Sequence, residues 1–167
     1  MAALDVITRL LKPGDEVIAG DDLYGGTNRL LAYLKSHGGV IVHHVDTTRS
    51  ENVYPLVKAG KTAMVLLESP TNPLLKIADL AKISAGVKER APEAVIVVDN
   101  TMMSPYLQRP LEHGADIVYD SATKYLSGHH DLMAGVITCD RDDLAKVPHI
   151  FYTQANYDSH CYSKWRL

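Results

Sequence analysis

The chain is expected to fold as an α/β protein whose mostly parallel sheet is flanked by helices. Two observations lead there. Apolar, β-branched runs alternate with amphipathic stretches from the first residues to about residue 146, the pattern of strands wrapped by helices. Several of those runs are apolar at consecutive positions, as strands covered on both faces must be. The composition agrees: 46% hydrophobic and 22% charged residues in a chain of 167 is ordinary for one globular domain with a sizeable core.

Taken in order, the first element is a helix over Ala2–Leu11, with Leu4, Ile7, Leu10 and Leu11 at helical spacing and Lys12-Pro13-Gly14 as its stop. A strand over Glu16–Ala19 follows. Thr27–His37 is again helical, with Leu30, Leu31 and Leu34 on one face and Gly38-Gly39 as its exit, and it leads into a strand over Val40–Val45. The run Ala63–Glu68 predicts the next strand, Ile77–Glu89 a helix, and Ala94–Asp99 a strand apolar at four successive positions from Val95. Leu107–His113 reads as a short helix ended by Gly114, before strands over Asp116–Asp120 and Gly135–Thr138. From Val147 the character changes. Pro148 breaks the helix begun by Arg141, Asp142, Asp143 and Leu144, and Phe151 and Trp165 stand among Tyr152, Tyr157 and Tyr162 without a period, so 147–167 is expected to be irregular.

Charge and cysteine usage exclude several classes of function. Seventeen Lys and Arg against 20 Asp and Glu give a net charge of -3, without the basic stripe that a phosphate backbone requires, so no nucleic-acid partner is expected. Asp5, Arg9 and Lys12 interrupt the opening segment, and no apolar run approaches the roughly 20 residues that cross a bilayer. Neither a membrane partner nor a signal peptide is expected. Cys139 and Cys161 lack metal-type spacing and are too few for a disulfide scaffold, which suggests a reducing, cytoplasmic setting.

Polar groups collect just after the carboxyl ends of the apolar runs, where ligands bind in open α/β sheets. Asp99 closes a run that should be deeply buried, so its carboxylate needs a cationic or hydrogen-bonded partner, although such an aspartate is often only a structural acceptor. Ser121, Thr123 and Lys124 place two hydroxyls and an amine within four residues, a set that suits a phosphate and a reactive carbonyl, or else a solvated turn. Asn72 lies in Ser69-Pro-Thr-Asn-Pro73, a turn stiffened by two prolines. Tyr24, followed by Gly25-Gly26, could lay its ring over a planar ligand or simply pack on its loop. His129, His130 and Asp131 are individually good metal ligands, but adjacent side chains rarely converge on one ion, and a loop closing over the Lys124 segment is favoured; no metal is expected.

The stretch Val97-Val-Asp-Asn-Thr101, Ser104-Pro-Tyr-Leu-Gln-Arg-Pro110 and His113 through Asp131, which includes Ser-Ala-Thr-Lys-Tyr-Leu-Ser-Gly-His-His-Asp, resembles the pyridoxal-phosphate (PLP) signature of the cystathionine lyase and synthase family. Asp21-Asp-Leu-Tyr-Gly-Gly-Thr27 and Glu68-Ser-Pro-Thr-Asn-Pro73 match the same family, and Lys124–Asp131 is most like its fungal-type cystathionine beta-lyases. The resemblance implies the large domain of PLP fold type I, the aspartate aminotransferase-like fold. It also implies roles. Lys124 would form the Schiff base with the cofactor and remove the substrate Cα proton, and Asp99 would pair with the pyridine nitrogen. Tyr24 would stack on the ring and is counted with Lys124 as catalytic; Ser121, Thr123 and the backbone at Met1 would hold the phosphate, and Asn72 would contact the cofactor or substrate edge. The implied reaction is β-elimination of cystathionine to homocysteine, pyruvate and ammonia, a step of transsulfuration and methionine biosynthesis. Cystathionine gamma-lyase, gamma-synthase and a non-catalytic fragment are the alternatives.

The resemblance is expected not to extend over these residues to the family's small C-terminal domain, its carboxylate-binding arginine or its N-terminal segment. Residues 1–146 are accordingly read as part of the PLP-binding large domain and 147–167 as a tail unlike the family. Family members are homotetramers, and this assembly is not carried over to the fragment.

Overall fold

The computed structural model describes residues 1–141, 143–144 and the backbone of 160–163. Among these residues seven strands form one sheet in the order β2-β1-β3-β4-β5-β6-β7. They are β1 (Glu16–Gly20), β2 (Ile41–Val45), β3 (Thr62–Glu68), β4 (Val95–Asp99), β5 (Ile117–Ser121), β6 (Gly135–Cys139) and β7 (His160–Ser163). The first five are parallel to their neighbours, β6 runs antiparallel to β5, and β7 is parallel to β6. The helices are α1 (Ala2–Thr8), α2 (Gly25–His37), α3 (Ser50–Val53), α4 (Leu80–Arg90) and α5 (Ser104–Leu107), with 3-10 turns at Tyr54–Leu56 and Pro110–His113.

The continuous apolar runs are explained by the layers they separate. Val17, Ala19, Met64, Leu66, Val97, Ile117 and Tyr119 face Leu4 and Ile7 of α1 and Leu31 of α2. Ile18, Val65, Leu67, Ile96, Val98 and Val118 face Val53, Leu80, Ile83 and Val87 on the other side. Successive strand residues thus enter opposite cores, so both parities must be apolar.

Helix boundaries depart from expectation where local chemistry intervenes. The first helix ends at Thr8 rather than Leu11, because Thr8 Oγ1 donates back to the Asp5 carbonyl at 2.8 Å and the N–H groups of Arg9, Leu10 and Leu11 turn to carbonyls three residues back. Helix α4 starts at Leu80, not Ile77: Asp79 Oδ1 accepts the Lys82 N–H at 3.0 Å as its N-cap. Leu107–His113 is not one helix. Pro110 has no N–H to continue α5, and a separate 3-10 turn ends at Gly114 in the left-handed region, φ 86°. The expectation of an irregular tail concerns residues outside the described set, apart from β7, which is a regular strand paired with β6.

Candidate active site

The parallel strands β1, β3, β4 and β5 all end at one edge of the sheet, and the loops that leave them are bonded to one another. Asp22, after β1, accepts from Thr71 Oγ1 at 2.5 Å and from the Leu74 N–H at 3.1 Å, while Lys76 Nζ pairs with Asp21 at 3.1 Å. Gln108 donates to the Ser69 carbonyl at 2.8 Å and to Asn100 Oδ1 at 3.0 Å, which joins the loop after β4 to the loop after β3. These ties hold the loops as one surface.

The candidate residues form a continuous chain of contacts along that surface. Tyr24 is the N-cap residue of α2, and its ring lies with the Met1 side chain over Gly26, where a Cβ would stand 2.5 Å from Tyr24 Cε1 and 2.8 Å from Met1 Sδ. Only glycine leaves that room. The Tyr24 N–H donates to Glu68 Oε2 at 2.9 Å. Glu68 is the register partner of Asp99, and Asp99 of Tyr119, so the three side chains form a row on the α1 and α2 face of the sheet. Asp99 Oδ1 accepts the Thr101 N–H at 3.0 Å, and Thr101 Oγ1 accepts the Ser121 N–H at 2.9 Å. The Lys124 N–H in turn donates to the Ser121 carbonyl at 3.0 Å. Tyr24, Asp99, Ser121 and Lys124, which lie up to 100 positions apart in the sequence, are brought together by four loops at one edge.

Two candidates stand differently. The Thr123 hydroxyl bonds within its own loop, accepting from the Ala134 N–H at 3.1 Å. Asn72 is half-buried, with its backbone N–H beside the Glu68 carboxyl. In the His129–Asp131 loop, Ser127 Oγ donates to Asp131 Oδ1 at 3.0 Å, and no group of three His, Cys, Asp or Glu able to hold a metal occurs among the described residues.

Sequence reasoning missed Glu68, Tyr119 and Asp120. Glu68 and Asp120 are buried, and neither they nor Asp99 makes an ion pair with Lys, Arg or His among the described residues. Loss of water, reinforced by the Asp99 charge, pushes Glu68 up to about 7 and Asp120 up to about 6. A carboxylate closing a consecutive apolar run was the available signal, and it marks Glu68 at the end of β3 as clearly as Asp99 at the end of β4.

This donor set fits PLP. A buried carboxylate with one backbone donor and no cation suits a protonated ring nitrogen, and the Tyr24 ring over Gly26 offers a flat apolar face. Lys124 is exposed, and its amine makes no hydrogen bond or ion pair among the described residues.

Comparison with known proteins accords with this geometry. The model of the Cys/Met metabolism PLP-dependent enzyme family matches residues 1–159. The chain is 67% identical over 144 residues to a cystathionine beta-lyase of Neurospora crassa, covering 86% of this chain and 31% of that protein. It is 49% identical over 146 residues to a cystathionine beta-lyase of Schizosaccharomyces pombe, covering 87% and 37%. Among solved structures, metB from Corynebacterium glutamicum superposes with a TM-score of 0.84 at 38% identity over 90% of this chain and 39% of that one. The cystathionine gamma-lyase CalE6 from Micromonospora echinospora gives 0.85 at 37% identity over 93% and 40%. The chain spans roughly a third of the length of the curated relatives it matches. It belongs to the Cys/Met metabolism family of PLP-dependent enzymes.

Proposed function

We propose that this chain supplies the cofactor-binding part of a cystathionine beta-lyase, an enzyme that splits cystathionine, with one water consumed, into homocysteine, pyruvate and ammonia. The observation that carries the reading is the contact chain from Tyr24 through Glu68, Asp99, Thr101 and Ser121 to Lys124. The 67% identity to the Neurospora crassa cystathionine beta-lyase supports β-elimination over γ-elimination. Bound PLP supplies the electron sink that makes proton loss at the substrate Cα feasible.

The chain's own residues do the rest. Lys124 would hold the cofactor through its amine, and the same Nζ would take the substrate Cα proton. Asp99, which accepts the Thr101 N–H, would pair with the ring nitrogen. Tyr24 would cover the ring, Ser121 and Thr123 would offer hydroxyls to the phosphate together with the backbone at Met1, and Asn72 would border the ring edge. Sulfur leaves from Cβ. A cytoplasmic location and a place in methionine biosynthesis belong to this proposal; among the described residues no helix is long and apolar enough to cross a membrane.

The test is to incubate the purified chain with PLP, desalt, reduce with borohydride and map the labelled lysine, then assay the released oxo acid. Label on Lys124 and pyruvate from cystathionine are expected. The γ-lyases among the relatives, such as that of Rattus norvegicus at 44% identity, give the alternative, and 2-oxobutyrate as the product would select it. A folded chain that retains no cofactor would overturn the reading.

A further inference from the structure

Tyr119 is buried in β5, and its hydroxyl has no partner at full hydrogen-bonding geometry among the described residues. Its ring packs beside Ile117 and Ile137, where phenylalanine would fill the same volume. An unsatisfied buried hydroxyl destabilises by about 1–3 kcal/mol, so packing alone does not account for the oxygen. Two polar side chains stand beside it. One is Asp99, its register partner across the β4–β5 ladder, and the other is Thr27 on the buried face of α2. Burial first, and the Asp99 charge second, push the phenol well above its usual range, so it stays protonated and can donate. Asp99 can take it: its carboxylate accepts one backbone N–H, from Thr101, and a carboxylate has about four acceptor positions.

We propose that Tyr119 is a positioning residue for Asp99: its hydroxyl donates to the Asp99 carboxylate when that group carries its cationic partner, holding it ionised and oriented toward the cofactor ring nitrogen. The inference rests on the functional reading above and adds to it a residue that does not touch the cofactor. Between Thr101 on one side and Tyr119 on the other, the carboxylate would lose its freedom to rotate, and its charge would stay fixed where the ring needs it.

The experiment is a double-mutant cycle with Tyr119→Phe and Asp99→Ala, titrating each purified chain with PLP and following the absorption band of the lysine-linked cofactor. Tyr119→Phe should melt no lower than the parent chain, bind PLP roughly tenfold more weakly, as loss of one hydrogen bond to a charged group implies, and show a displaced band. In the Asp99→Ala background the same substitution should change affinity by less than about twofold. Unchanged affinity and band in Tyr119→Phe would overturn the inference. So would equal losses in both backgrounds, which would assign the hydroxyl to Thr27, or a Tyr119→Phe chain that fails to fold, which would make the oxygen structural. Absence of a Lys124-linked band in the parent chain would remove the functional reading and the inference with it, whereas a normal parent and an unaffected Tyr119→Phe variant would remove the inference alone.

Discussion

On the proposed function, Lys124 would attach the cofactor and Asp99 would activate it, and substitution at each position tests the two roles separately. Lys124 is exposed and its amine is bonded to nothing among the described residues, so Lys124→Ala should leave the melting midpoint within about 1 °C, a surface change of a few tenths of a kcal/mol. Borohydride should then fix no cofactor at this segment; peptide mapping that still finds label there would contradict the assignment. Asp99→Asn keeps the shape and the Thr101 hydrogen bond but removes the charge. Cofactor should still attach to Lys124, while turnover falls by at least about tenfold, since one lost charge-assisted interaction is worth 1.5–3 kcal/mol. Equal rates for the two chains would dissociate Asp99 from the chemistry. Both residues stood out in the sequence because each ends a conspicuous run, an apolar strand for Asp99 and a hydroxyl-rich turn for Lys124, although the runs alone left a structural acceptor and a solvated turn open and the proposed roles came from the resemblance. Tyr119 was not legible. Its hydroxyl matters only through what lies across the ladder and over the strand, and neither Asp99 nor Thr27 is its neighbour in sequence.

At the scale of elements, the first six strands were readable, the central ones because both of their parities are apolar, and their observed bounds differ from expectation by no more than about one residue at either end, whereas β7 falls where no strand was expected. Helices were harder, since their ends are decided by bonds that span loops. Helix α4 shows both the cause and the cost. Its start depends on the Asp79 cap, and Asp79→Ala should lower stability by about 1 kcal/mol in a thermal or urea melt. Its middle contains Gly86, where a Cβ would run into the Tyr54 ring. Helix propensity favours alanine at such a position by about 1 kcal/mol, yet Tyr54 is fixed there by its bond to the Lys82 carbonyl at 2.8 Å and by Arg90 at 4.4 Å from the ring centre. Overpacking should prevail, and Gly86→Ala should destabilise by about 1–3 kcal/mol. A stabilised variant would mean that Tyr54 swings aside freely. No pattern within Leu80–Arg90 announces this, because the clash comes from the 3-10 turn at Tyr54–Leu56.

Across the whole molecule the buried acids divide by the end of the sheet they occupy. At the amino ends of the strands, Glu16 is held by Lys58 at 3.1 Å and His43 at 2.7 Å, and Asp116 by Lys88 at 2.7 Å and Arg141 at 3.3 Å. At the carboxyl ends Glu68, Asp99 and Asp120 have no such partners among the described residues, so the fold gathers carboxyl groups without cations where a cationic ring would sit. The two ends therefore respond oppositely to pH. Hydrogen bonds from Lys58 and His43 hold Glu16 below its usual value of 4.5; its contribution is present above that value and lost as pH falls through the lowered one. Glu68, raised to about 7 by loss of water, contributes most below 4.5, and that contribution is lost as pH climbs toward 7. Asp120 acts in the same direction, between 3.8 and about 6. Melting of the cofactor-free chain should accordingly show stability declining from about pH 5 to pH 7.5. Glu68→Gln, which keeps an acceptor for the Tyr24 N–H but cannot ionise, should flatten the decline by about 1–2 kcal/mol after allowance for the water that reaches this edge. Parallel pH profiles for the two chains would mean that Glu68 ionises freely in the folded state. A shallower profile in the variant would identify the carboxyl edge as the place where the fold gives up stability, at the same edge that gathers Tyr24, Asp99 and Lys124.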